Sequence, residues 1–376
     1  MRVGKLYAAI DLIAEEFSEY EIEQKLTQLQ SALNTSVTSP NEQNTQAFRG
    51  SYAEVGKVLE SCDTNNATPT QRRILDEIGA TQYIGKGLWE KISTIIADNN
   101  ITPANALQEI ITLNKEVHSF HESVAKLNKE FENLDLEYDE LESGEAEIGI
   151  AIPPEMVKSN LDGLKEEIRE FDRIFKVFRE LKGESVESSK IRSISSSDFQ
   201  LFLESAPVVA AVIAAAIERI VAIYKNLLEI KKLRENLAKQ KVPKEATKGI
   251  EDHEKQVVNK ELEELAKSLI KENYKGDDGR KNELKNALKM ALGFLADRID
   301  RGVLVEVRVA EPEKPEEAEE SEEGKKATTR EIKAYEKQKQ LAENINRQGR
   351  SLARLERGSK PILLLSSKKS KQDKEK

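Results

Sequence analysis

The residues with the clearest potential for chemistry lie in the run His118-x-x-His121-Glu122. Histidines at positions i and i+3 can share one face of a helix, which is a spacing that suits a zinc site. No third ligand is in register, and the surrounding apolar pattern places both side chains outward or beside a packing seam. The sequence therefore favours solvated or interhelical histidines, and His253 stands alone on a charged helix.

Motifs for nucleophilic catalysis and for phosphate binding are missing. Ser195 to Asp198 places serines beside a carboxylate, but a serine nucleophile also needs a base and an oxyanion site. The chain has no G-x-S-x-G, Walker A or G-x-G-x-x-G motif, and Lys275 to Gly279 is too short for a calcium loop. We therefore predict a protein that is not an enzyme, with no cofactor, no metal ion and no small-molecule substrate.

The composition points to long helices. Charged residues make up 34% of the 376 residues and aromatic residues 5%, which is unlike a β-sandwich or a disulfide scaffold. The single cysteine, Cys62, excludes an internal disulfide and suits a reducing compartment. The N-terminal run carries Asp11, Glu15 and Glu16 and lacks the apolar core of a signal peptide. We expect a cytoplasmic protein.

Capping residues and prolines mark the helices of the first hundred residues. Apolar spacing predicts one helix over about residues 3–34, followed by a polar loop over 34–45 and two shorter helices. Thr68-Pro69 and Thr102-Pro103 each combine a cap with a proline suited to the first helical position.

Two later segments carry apolar residues at alternating spacings of three and four, which is the heptad pattern of helices that pack along a seam. A connection of about a dozen residues joins the two segments, and this length suits an antiparallel hairpin of the two helices. The bulky phenylalanines favour a bundle of three or more helices over a two-stranded coil. The predicted seam consists of Ile110, Leu113, Val117, Phe120, Val124, Leu127, Phe131, Leu134, Tyr138 and Leu141 in the first segment and Val157, Leu161, Leu164, Ile168, Phe171, Phe175 and Phe178 in the second.

Alternating residues predict strands at 148–152, within 191–203 and at 303–309, which we expect to meet in one small sheet. The predicted fold is mainly α: an elongated helical bundle with heptad helices and a small β-sheet between them. Its predicted parts are a helical region at 1–100, a central coiled-coil-like domain at 101–310, an acidic disordered linker at 311–327 and a basic helix and tail at 328–376.

The segment 206–224 opens a long helix that is apolar on nearly all sides. Its uninterrupted apolar run of 12 residues is shorter than a membrane span, and Glu218 and Arg219 follow it. A buried core helix is favoured. A membrane-active, pore-forming-like protein that releases this helix is an alternative.

Charge is distributed unevenly. Residues 325–376 hold 16 basic and 6 acidic residues, a net charge of +10, so the total of −9 leaves −19 for residues 1–324. The basic segment has one arginine face, suited to phosphates or anionic lipid, although the segment could equally fold back on the acidic body or serve solubility. The candidate anion-binding residues are Arg347, Arg350, Arg354 and Arg357.

These features predict a non-catalytic scaffold or subunit of an oligomeric or multiprotein assembly. The expected partners are a second copy, another protein subunit, or both, and the tethered basic tail would recruit a partner or an anionic surface. The pattern also allows non-specific nucleic-acid or membrane contact through the tail, and a nucleic-acid-associated accessory protein is the second alternative.

Overall fold

A computed structural model describes residues 3–136, 141–157, 160–195, 199–239, 244–313, 329–349 and residue 355. The described residues form eleven α-helices and one four-stranded antiparallel sheet, so the predicted mainly helical fold with a small sheet is confirmed. Contacts between residues divide the chain into two compact units, Met1–Glu140 and Leu141–Lys376. Each unit has its own apolar core.

The first unit is helical. Its longest helix, α6, packs on α1, α2 and α5 and completes the core. The predicted boundary at residue 100 therefore lies inside this unit. The helices are α1 Val3–Glu19, α2 Ile22–Thr38, α3 Glu42–Ser61, α4 Pro69–Glu77, α5 Gly85–Asp98 and α6 Pro103–Asn133.

The predicted single helix over residues 3–34 is wrong, because the chain turns after Glu19. Glu21 has a left-handed φ of 49°, which an uninterrupted helix does not allow. The predicted loop over 34–45 is also mostly helical, since α2 continues to Thr38 and Asn41 caps α3. Three helices rather than two then precede α6.

The proline helix starts are confirmed. Thr68 and Gln71 form a reciprocal capping box with Pro69 at the first turn of α4. Pro103 opens α6, although the Thr102 hydroxyl bonds to Asn99 Oδ1 at 3.3 Å instead of capping the backbone.

The second unit combines a sheet with five helices. Helix α8 lies at the centre of the core and contacts α7, α9, α10, α11 and the sheet. The helices are α7 Leu161–Lys182, α8 Pro207–Lys239, α9 Lys244–Asn273, α10 Asp278–Asp300 and α11 Thr329–Gly349.

The three predicted strand segments meet in one sheet, as expected, but the middle segment forms two strands. The strands are β1 Ala146–Ala151, β2 Ile191–Ser195, β3 Gln200–Ser205 and β4 Leu304–Val309. Their order is β2-β3-β1-β4, and every neighbouring pair is antiparallel. Strands far apart in sequence thereby satisfy one another's backbone hydrogen bonds.

The two faces of the sheet differ in chemistry. One face is apolar and joins the helical core through residues such as Ile148 and Val307, which are paired across strands. The other face buries Glu147 beside Arg308, which donates to Glu147 Oε1 at 3.1 Å from Nε and 2.6 Å from Nη2. Arg192 approaches Glu147 Oε2 at 3.6 Å and also binds Glu145. These ion pairs link strands β1, β2 and β4.

The predicted seams lie in separate cores. The α6 residues Ile110, Leu113, Val117, Val124 and Phe131 are buried in the first unit, Phe120 is partly buried, and Leu127 is exposed. The α7 residues Phe171, Phe175 and Phe178 are buried in the second unit against α8 and α10. The two seams therefore do not pack on each other as the predicted antiparallel hairpin, because they belong to different cores.

The ends of both seams also differ from the prediction. Helix α6 ends at Asn133, because Asp135 has a left-handed φ of 50°, so Leu134 and Leu141 lie beyond the helix. Val157 is buried in a 3₁₀ turn before α7. Tyr138 and most of the predicted linker 311–327 lie outside the described residues.

Candidate interaction surface

The two histidines join helices α2 and α6. His118 Nδ1 lies 3.0 Å and His121 Nδ1 3.1 Å from the same oxygen, Glu23 Oε1. The His121 ring also stacks on Phe17, with ring centroids 4.4 Å apart. Within the described residues, no group of three or more His, Cys, Asp or Glu side chains could hold a metal ion. This arrangement fastens two helices together.

A second polar cluster is buried in the first unit. The Glu16 carboxylate accepts hydrogen bonds from Thr64 N at 2.8 Å and from Thr64 Oγ1 at 3.0 Å, which ties α1 to the turn after α3. Burial raises the pKa of Glu16 despite these bonds. Burial and the neighbouring Glu16 carboxylate raise the pKa of the Cys62 thiol. Cys62 therefore stays protonated at neutral pH, unlike a reactive cysteine.

Of the four predicted anion-binding arginines, only Arg347 lies within the described residues. It is exposed on α11, with Nη1 3.9 Å from Glu218 Oε1 of α8. Arg350, Arg354 and Arg357 lie outside the described residues. On the opposite side of α11, Ala342 and Ile345 are buried in the second core.

Helix α8 contains the predicted apolar segment. Its part Pro207–Leu233 is long and apolar enough to cross a membrane, with a mean hydropathy of 1.9, and 61% of its most apolar window is buried inside the protein. Ile213, Ala214 and Ile217 are fully buried in the second core. Release of this helix would expose the centre of that core, and a membrane-active role stays a prediction.

Helix α11 closes one edge of the sheet. Val309 N of strand β4 donates to Asn346 Oδ1 at 2.8 Å, and Asn346 Nδ2 donates to Val309 O at 2.9 Å. A Cβ on Gly349 would lie 2.4 Å from Val307 O, so the end of α11 needs glycine for this close approach. An edge covered in this way is protected from pairing with another strand.

The opposite edge, β2, exposes apolar side chains. Ile191 is 56% exposed and Ile194 is 62% exposed. Ile191 pairs with Leu203 and Ile194 with Leu201, with a bulge between Ile191 and Ser193. The bulge puts both isoleucines on the apolar face of the sheet, while Arg192 reaches Glu147 on the other face.

The heptad stripe of α7 runs from solvent into the core. Leu161 is 81% exposed and Ile168 is 36% exposed, whereas Phe178 is fully buried. Ile168, Phe171 and Ile191 line one groove of about 250 Å³. The exposed apolar side chains of these two elements are Leu161 and Ile168 on α7 and Ile191 and Ile194 on β2, and we call them together the α7–β2 surface. Of the four, Ile168 and Ile191 line the groove.

Comparison with protein-family models, with curated proteins and with solved structures gives no match to this chain. Function has to be inferred from the surface itself. The sequence pattern identified Leu161 and Ile168 as seam residues but missed Ile191 and Ile194. The available signal was a pair of isoleucines in a strand otherwise made of arginine and serines.

Proposed function

We propose that this protein is a non-catalytic helical scaffold or subunit of a protein assembly, and that a partner binds the α7–β2 surface. One observation carries the proposal: α7 and β2 expose large aliphatic side chains, and Ile168 of α7 and Ile191 of β2 line one groove. A contiguous apolar patch on a soluble protein is typical of an interaction site. Full burial of one such side chain contributes about 1.5–3 kcal/mol, so covering this surface is favourable.

The spacing on α7 supports a helical partner. Leu161, Leu164 and Ile168 continue the stripe that the buried phenylalanines begin, and a stripe with spacings of three and four packs on another helix. A coiled-coil-like contact here, an elongated assembly and a cytoplasmic location are parts of the proposal.

A photo-crosslinking residue at position 194 tests the proposal in cells that naturally produce the protein. The matched control is the same residue at Met290, an exposed apolar side chain on α10 that does not line the groove. We expect a discrete adduct from position 194 and none from position 290. Absence of an adduct from position 194, with normal circular dichroism, would contradict the proposal.

We further propose that the basic C-terminal segment is a second, tethered surface for a partner or an anionic surface. Its support is the charge of +10 over residues 325–376 and the exposed side chain of Arg347. Deletion of the whole segment would remove α11 from the core, so replacement of Arg350, Arg354 and Arg357 by glutamine is the better test. Salt-sensitive binding to anionic vesicles or to duplex DNA should weaken in that variant. Unchanged binding would exclude this arginine face.

A further inference from the structure

Helices α5 and α6 of the first unit leave an open groove between them. The groove has a volume of about 600 Å³, and all of its lining residues belong to these two helices. Rows of residues spaced by four form the ridges and grooves into which another helix packs. On each helix, three of the lining residues have this spacing: Gly87, Lys91 and Ile95 on α5, and Gln108, Thr112 and Glu116 on α6.

Other sides of α5 and α6 already pack on helices of the first unit. Helix α5 packs on α3, and α6 packs on α1 and α2. Along the groove, Thr94 and Thr112 are exposed, Ile95 is partly buried and Leu113 is buried. The connection between the two helices also holds Ile101, which is 90% exposed. The groove therefore has room for a third helix and apolar side chains for that helix to contact.

The groove is acidic. Glu90, Glu109 and Glu116 line it, and Lys91 is the one basic lining residue within the described part of the chain. The Lys91 ammonium is already engaged, because its Nζ lies 3.8 Å from Glu116 Oε2. Glu109 Oε1 accepts a hydrogen bond from the neutral amide of Asn99 at 3.0 Å. Neither Glu90 nor Glu109 forms an ion pair within the described residues.

We infer that the groove between α5 and α6 binds a basic amphipathic helix of a partner protein. The apolar face of such a helix covers Ile95 and Leu113, while Lys or Arg side chains beside that face meet Glu90 and Glu109. Residues 1–140 hold 12 basic and 23 acidic residues, a net charge of −11, so long-range attraction favours the same partner. This inference concerns the first unit and does not depend on a partner at the α7–β2 surface.

Two designed peptides of about four helical turns test the inference, with binding to the full chain measured by fluorescence anisotropy. Both peptides carry leucines at alternating spacings of three and four, and the leucine stripe is flanked by lysines in one and by glutamates in the other. The lysine peptide should bind the wild type at least about tenfold more tightly than the glutamate peptide. Glu90→Lys combined with Glu109→Lys should reduce this preference at least about tenfold. Glu60→Lys combined with Glu130→Lys makes the same change in total charge at exposed positions outside the groove and should keep the preference.

Thr112→Phe separates the groove from general charge attraction. It fills the groove at an exposed position without a change of charge, so it should weaken binding of the lysine peptide at least about tenfold while the circular dichroism of the wild type is retained. Lack of saturable binding of the lysine peptide to the wild type would overturn the inference. Equal affinity of that peptide for Thr112→Phe and for the wild type would overturn it as well, because the attraction would then come from net charge alone.

Discussion

The long helices α6 and α7 carry the same alternation of three and four, yet they use it differently. In α6 the stripe faces α1 and α2, and most of its members are buried. In α7 the phenylalanines are buried, but Leu161 and Ile168 remain exposed where no helix of the second unit covers them within the described residues. The spacing of apolar residues therefore identifies a packing stripe. It does not show which residues of the stripe are covered by other helices of the chain.

The two ends of the α7 stripe should differ most in stability. Phe178→Ala should lower the free energy of unfolding by about 3–5 kcal/mol, because it leaves a cavity at a fully buried site. Leu161→Ala, on the same stripe but exposed, should change the stability of the monomer by no more than about 0.5 kcal/mol. Urea unfolding followed by circular dichroism measures both. Equal losses of unfolding free energy in the two variants would contradict the division of the α7 stripe into a buried end and an exposed end.

Replacement of a glycine by alanine should destabilise the sheet but stabilise the first unit. Gly149→Ala would place a Cβ 2.7 Å from Glu306 Cγ and 2.9 Å from Phe202 Cε1, and we expect a loss of about 1–3 kcal/mol. Gly50→Ala in α3 meets nothing within 4 Å and should gain about 0.5–1 kcal/mol from helix propensity. Thermal unfolding of both variants gives the comparison. An unchanged unfolding temperature of Gly149→Ala would show that the side chains on the charged face of the sheet rearrange to make room for the added methyl group.

The covered edge of the sheet depends on one side chain. Asn346→Ala removes both hydrogen bonds to Val309 and should cost about 1–2 kcal/mol. Hydrogen exchange should quicken in β4, while peptides from β2 keep the wild-type rate. Asn344→Ala, an exposed change on the same helix, is the control. Unchanged exchange in β4 would mean that other contacts hold α11.

The smallest expected effect concerns the pH dependence of the stability of the first unit. Because the pKa of Glu16 is raised by burial, the folded state binds a proton between the unfolded and the folded pKa, and stability rises as pH falls through that interval. Glu16→Gln should reduce this slope, while the exposed control Glu19→Gln should keep it. Urea titrations at several pH values, monitored at the single tryptophan, Trp89, measure the difference. Identical slopes would contradict the role assigned to Glu16.

Local signals predicted much of the fold. Pro69 and Pro103 mark helix starts because proline fits the first turn, and alternating valines identified β4. The break at Glu21 was not predictable from periodicity, since the apolar spacing continues across it and only the left-handed backbone reveals the turn. The same holds at the end of α6, where the seam pattern continues beyond the last helical residue, Asn133.

The candidate surface was only half predictable. Leu161 and Ile168 stand out by their spacing, but spacing does not report which members of a stripe are covered. Ile191 and Ile194 join them only because a bulge turns both to one face of β2. A bulge depends on strand pairing between distant segments, which a single sequence does not display.

Photo-crosslinking from position 191, in the otherwise wild-type chain and in the same chain with Ile168→Asp, tests the central claim most directly. A partner on the α7–β2 surface predicts a discrete adduct heavier than the 42.3 kDa chain when Ile168 is present. Ile168→Asp would bury a carboxylate in that interface and should abolish the adduct, while the circular dichroism of the wild type is retained. An adduct of the same strength with Ile168→Asp would contradict the claim that this surface binds a partner.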